Sequence, residues 1–162
     1  MRKDRRMYKN IMVPLDGSKL AEVCDFARQQ GAKLNILRVT YAKVFPGADP
    51  ADSQLKVVGE AEDYTQMVQR RLEEEGFTVE SHVRYGFPVE EILDHAKRGG
   101  VDLIAMVTHG CSGPARWMLG SVAEEVLRHA LVPVLLFRVG GAQEAGMDPP
   151  SAAEVDERRK VS

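Results

Sequence analysis

The residues best placed to do chemistry lie between Met106 and Val122, in the stretch MVTHGCSGPARWMLGSV. Three glycines, Gly110, Gly113 and Gly120, separate the end of an apolar run, DLIAMV, from Ser121-Val122-Ala123-Glu124. The last four residues match a Ser-x-x-Glu capping box and predict a helix start with Ser121 as its cap. A helix start offers unpaired amides and the positive end of a dipole. Glycines before it let a backbone approach an anion closely. The chemistry implied is a backbone cradle for phosphate, with an ordinary strand-to-helix loop as the plain alternative. Arg116 lies in the same loop and could add a positive charge. Asp16, in Leu15-Asp16-Gly17-Ser18, ends another apolar run, where an aspartate serves as a turn former or as a ligand group. His109 invites a general-base reading, but no serine, cysteine and acid set is placed by sequence to complete it. Cys111 sits in a glycine loop near a helix start, a setting that can lower a thiol pKa. No His, Cys or Asp cluster has metal-ligand spacing.

These residues need elements to hold them. Asn10–Leu15 (NIMVPL), Lys33–Val39, Phe77–Arg84, Asp102–Val107 and Pro133–Phe137 read as five strands. Between them lie four helical patterns. The first runs from Ser18, as N-cap, to a stop at Gln30-Gly31. The second spans Ser53–Glu75, after a loop over Thr40–Asp52, and stops at Gly76. The third starts at Pro88 and buries Val89, Ile92, Leu93 and Ala96. The fourth, Ser121–Ala130, buries Val122, Val126 and Leu127. Strict alternation of strand and helix predicts an α/β fold with an open parallel sheet, helices on both faces and right-handed crossovers. With strand order 3-2-1-4-5, strands one and four meet at the reversal, where ligands bind such sheets. Asp16 and the loop after Val107 then face one crevice.

Composition limits the partners. At 162 residues the chain suggests one domain with a real core. The net charge of −2 argues against a general nucleic-acid surface. No apolar run approaches the ~20 residues of a membrane span, and the basic N-terminus lacks the apolar stretch of a signal peptide. Two separated cysteines, Cys24 and Cys111, fit free thiols in a cytoplasmic protein. From Val139 onward the sequence turns to Gly, Ala, Pro and charge. The expected organisation is a domain over residues 1–138, then a linker and a flexible or partner-docked tail over 139–162. A short helix near 152–160 is allowed by Ser151-Ala152-Ala153-Glu154.

The landmarks YKNIMVPLDGS, ILRV, GFPVEEI, DLIAMVTHG and GSVAEEVLRHALVPVLLF resemble the universal stress protein family over about residues 8 to 138. The nucleotide-binding members carry Gly, two residues, Gly, nine residues, Gly, then Ser or Thr. Here Gly110 is followed by nine residues and Gly120-Ser121, with Val107 in place of the first glycine. The resemblance implies an adenine nucleotide alpha hydrolase-like fold and an ATP site. In it Pro14, Asp16 and Val39 would lie near the adenine, and Met106 and Val107 near the ribose. Gly110, Gly120, Ser121 and Val122 would hold the phosphates, with Mg or Mn arriving on the nucleotide. Gly113 and Arg116 belong to the same phosphate loop. Two further departures are Cys111, where many relatives carry Arg or Lys, and a first helix shorter than is usual.

The expected function is ATP binding in stress response or regulation, with at most slow hydrolysis. Binding would select one conformation of the loops flanking the crevice and pass nucleotide state to a partner. Two rivals stand beside it: a non-nucleotide scaffold or small-molecule binder of the same fold, and a slow ATPase or hydrolase built on His109. The resemblance also implies a homodimer through Pro133–Phe137, an apolar strand at a sheet edge. Leu135→Lys is then expected to give a monomer.

Overall fold

The computed structural model describes residues 7–18, 20–43, 46–109 and 119–139; the side chains of His109 and Val139 fall outside that set. Among the described residues are β1 (Asn10–Pro14), α1 (Ala21–Gln30), β2 (Lys33–Thr40), α2 (Pro50–Glu74), β3 (Val79–Tyr85), α3 (Pro88–Arg98), β4 (Leu103–His109), α4 (Ser121–His129) and β5 (Val134–Val139). The five strands form one parallel sheet in the order β3-β2-β1-β4-β5. Both the parallel sheet and its order are those expected from the alternation of the sequence.

The two-residue period of the strands divides the core into two layers. On one side Ile11, Val13, Leu34, Ile36, Leu103 and Ala105 pack against Val23, Cys24 and Ala27 of α1 and Val68 and Leu72 of α2. On the other side Met12, Leu37, Ile104 and Met106 meet Ile92 and Ala96 of α3 and Ala123 and Val126 of α4. With helices on both faces, a central strand is apolar at nearly every position. Each fully buried aliphatic side chain contributes roughly 1.5–3 kcal/mol, so the sheet is a rigid base for whatever its C-terminal ends carry.

Several boundaries differ from those read in the sequence. Ser18 does not cap α1. That helix begins at Ala21 with Leu20 in the cap position and no side-chain cap bond. The Ser18 amide instead donates to Asp16 Oδ1 at 2.9 Å, closing a local turn. Helix α2 starts three residues earlier than Ser53. The Asp49 carboxylate accepts from the Ala51 amide at 2.8 Å, and Pro50 occupies the first turn. A capping acid followed by a proline is the stronger start, and it shortens the expected 40–52 loop. Ser53 folds back inside the helix, its hydroxyl donating to the Asp49 carbonyl. Strands β4 and β5 each run two residues further than expected. Leu127, expected inside α4, is exposed, and Ala123 takes the buried place beside Val126. The face toward the sheet runs through Val122, Ala123, Val126 and Ala130, and 127 falls at its margin.

The stops agree with the sequence reading. Gly31 caps α1 in the left-handed region at φ 60°. At the end of α2 the Gly76 and Phe77 amides return to the carbonyls of Glu73 and Leu72. The terminal helix near 152–160 lies outside the described residues.

Candidate functional site

A crevice of about 770 Å³ opens over the C-terminal ends of β1, β2 and β4. Its walls bring together Pro14, Asp16, Val39, Met106, Val107, Gly120, Ser121 and Val122. These residues come from four separate segments, and the topology makes them neighbours. Gly110, Gly113 and Arg116 lie outside the described residues, as do Cys111, Trp117 and Met118; the same holds for the His109 side chain. The walls also include Leu15, Leu37, Arg38, Pro88, Ile92, Thr108, Leu119 and Ala123, which the sequence reading did not select. In the sequence Pro88 marks only a helix start and Ile92 only a core position. The signal that could have found them is their place at the front of α3, on the face that covers the crevice end of the sheet.

The α4 end of the crevice differs in one respect from the capping box expected. Gly120 is the cap, at φ −58° and ψ 146°, and Ser121 is the first helical residue. Among the described residues no side-chain cap bond is made at this helix start. Glu124 pairs with Arg128 at 3.0 Å on the exposed face rather than reaching back to the cap. The first backbone bond inside the helix is from the Glu124 amide to the Gly120 carbonyl, 2.9 Å. The amides of Ser121, Val122 and Ala123 therefore have no partner within the helix. All three residues line the crevice.

Gly120 adds a second observation. Its φ is open to any residue, and a β-carbon built there would meet no atom of the described residues within 4 Å. Among the described residues packing does not require a glycine here, and its place as helix cap is one glycine fills well. The bare backbone at this cap also leaves room for a ligand to approach the α4 amides.

At the opposite wall, β1 ends in Pro14 and the chain turns through Gly17, whose φ of 94° lies in the region that suits glycine. The turn presents Asp16 to the crevice with one carboxylate oxygen accepting from Ser18. Arg38 adds a positive charge to the same wall. Val107 is half-buried and packs against the cluster under α1 and α2, so its branched side chain is tied into the core as well as lining the crevice. Among the described residues no group of three or more His, Cys, Asp or Glu could hold a metal ion. No helix among them is long and apolar enough to cross a membrane.

A model of the universal stress protein family matches residues 7–138. The chain belongs to the universal stress protein family. It is 30% identical over 148 residues to universal stress protein MJ0531 of Methanocaldococcus jannaschii, covering 85% of this chain and 86% of that protein. Among solved structures it is similar to protein MJ0577 of the same organism, the subject of a structure-based assignment of biochemical function. The TM-score is 0.69 at 29% identity, over 84% of this chain and 99% of the other. It also resembles a universal stress protein solved in complex with cAMP, with a TM-score of 0.59 at 27% identity over 83% and 99% of the two chains. The fold is thus that of universal stress proteins, an adenine nucleotide alpha hydrolase-like arrangement.

Proposed function

We propose that this universal stress protein binds ATP in the crevice and acts by its nucleotide state rather than by rapid turnover. The observation that carries the reading is the start of α4. Three amides without helical partners and a glycine cap with open space beside it among the described residues line one end of the cavity. Amides at a helix start suit phosphate oxygens. At the other end the Asp16 carboxylate can accept from an amino group such as that of adenine, with Pro14 and Val39 as apolar surface beside it. That a related protein was solved with cAMP supports an adenine nucleotide as the ligand class. Mg or Mn would be held mainly by the nucleotide phosphates, as such ions usually keep water and phosphate ligands. The crevice volume falls within the range of small-molecule sites.

The test is a calorimetric titration with ATP of the unmodified protein and of Asp16→Ala. Saturable binding that weakens at least tenfold in Asp16→Ala supports the reading. An unmodified protein that takes up no ATP would refute it and move weight to a scaffold or another small ligand.

The protein is also proposed to be a homodimer joined through β5. The supporting observation is that Val134, Leu135, Leu136 and Phe137 are only half-buried on this edge strand, on both faces of the sheet. An open apolar edge is commonly covered in native proteins.

A further inference from the structure

We infer that Arg38 is the positioning residue of the crevice: it latches the turn after β1 to β2 and α2, and so holds Asp16 toward the ligand. The inference rests on the nucleotide reading above and adds how the base end of that site is kept in shape.

Leu15, the residue between β1 and Asp16, is held at both of its backbone groups by β2. Its amide donates to the Leu37 carbonyl at 2.8 Å. Its carbonyl accepts from Arg38 Nη1, also at 2.8 Å. The first bond continues the sheet ladder by one residue. The second is made by a side chain, from the face of β2 that α2 covers. The guanidinium lies 5.5 Å over the ring of Tyr64, a half-buried residue of α2. Burial raises the Tyr64 phenol pKa, and Arg38 and Asp16 act on it in opposite directions. The three polar groups therefore sit within electrostatic reach of one another. Beyond Leu15 the chain reverses at once through Gly17, and the Ser18 amide bonds back to the Asp16 carboxylate at 2.9 Å, so the latch at Leu15 sets where this turn starts. A charged hydrogen bond to the residue before it, backed by an aromatic face, fixes the start of the turn. Arginine suits this task because one planar group bonds and stacks together.

Arg38→Met removes the donor and keeps the stem. In the ligand-free protein, hydrogen exchange at the bonded Leu15 and Ser18 amides is expected to accelerate at least tenfold, with exchange in β4 unchanged. ATP affinity is expected to fall about tenfold, the scale of one charged hydrogen bond. Combined with Asp16→Ala, the same change should cost no further affinity, because Arg38 acts through Asp16. Tyr64→Leu, which keeps Arg38 and removes its platform, should shift both readouts in the same direction by less, and it serves if Arg38→Met does not fold. Losses that add in the double variant would show that Arg38 acts on the ligand by another route and overturn the inference. Unchanged exchange in the turn would overturn it too. If the unmodified protein binds no ATP, the nucleotide reading fails, while the exchange measurement still decides whether Arg38 holds the turn.

Discussion

At Gly120 the backbone angles suit any residue and the space beside the α-carbon is open. Gly120→Val should therefore still fold, at a cost of about 1 kcal/mol because valine is a poor helix cap. Its branched side chain would occupy the approach to the α4 amides. ATP affinity should fall at least tenfold in calorimetry run well below the melting transition; equal affinity would remove Gly120 from the site. Ser121 separates two readings that differ by one residue. As an N-cap its loss would cost about 1 kcal/mol of stability. Here it makes no cap bond, so Ser121→Ala should leave thermal unfolding unchanged. Asp49→Ala, at a real cap, should cost about 1 kcal/mol in a urea titration. The Gly120-Ser121 pair was legible as a helix start because its spacing is local. Which of the two caps was not, since glycine and serine both serve there.

The helix α3 shows what a linear reading loses. Its apolar face was legible from Ile92 and Ala96, but His95 beside them is 5% exposed. Its Nε2 bonds to the amide oxygen of Asn35, itself buried in β2, at 2.9 Å. An amide oxygen only accepts, so Nε2 carries the proton. The His82 ring of β3 stands 4.6 Å away, centre to centre. Both partners are distant in sequence, and no local pattern marks them. Burial lowers the His95 pKa below 6.5, with the charges of His82 and Arg84 adding to it and those of Asp94 and Glu80 opposing. The folded state thus binds this proton less readily than the unfolded chain. Its contribution is fully present above the unfolded pKa near 6.5 and is lost as the pH falls from there through the lower folded-state value. One such group gives a slope of at most about 1.4 kcal/mol per pH unit. Urea midpoints measured from pH 8 to 5 should drop more steeply for the unmodified protein than for His95→Gln. Parallel curves would mean that His95 does not couple folding to pH. Since Pro88 and Ile92 of the same helix wall the crevice, acid loosening of α3 should reach the site as well.

At the scale of the whole molecule, the alternation of five strands and four helices was enough to anticipate the sheet, because parallel strands need crossovers and crossovers are right-handed. That order alone brings Asp16 and the start of α4 to one crevice. What alternation does not encode is how the free edge is covered. In β5, Leu135 and Phe137 lean on the α1 and α2 side, and Val134 and Leu136 on the α3 and α4 side, yet all four stay half-exposed. A second copy meeting β5 would bury both rows and pair the open backbone edge in one step. Sedimentation should then give about 36 kDa, twice the 18.0 kDa chain. Leu135→Lys adds charge to this edge but also removes a contact with the core, so mass alone is not a sufficient readout. The amphipathic lysine stem can keep part of that packing while its ammonium reaches water. The expected result is a monomer near 18 kDa that retains its helical circular dichroism in the same sample. A monomeric unmodified protein would refute the dimer, and a Leu135→Lys dimer of undiminished affinity would place the contact elsewhere.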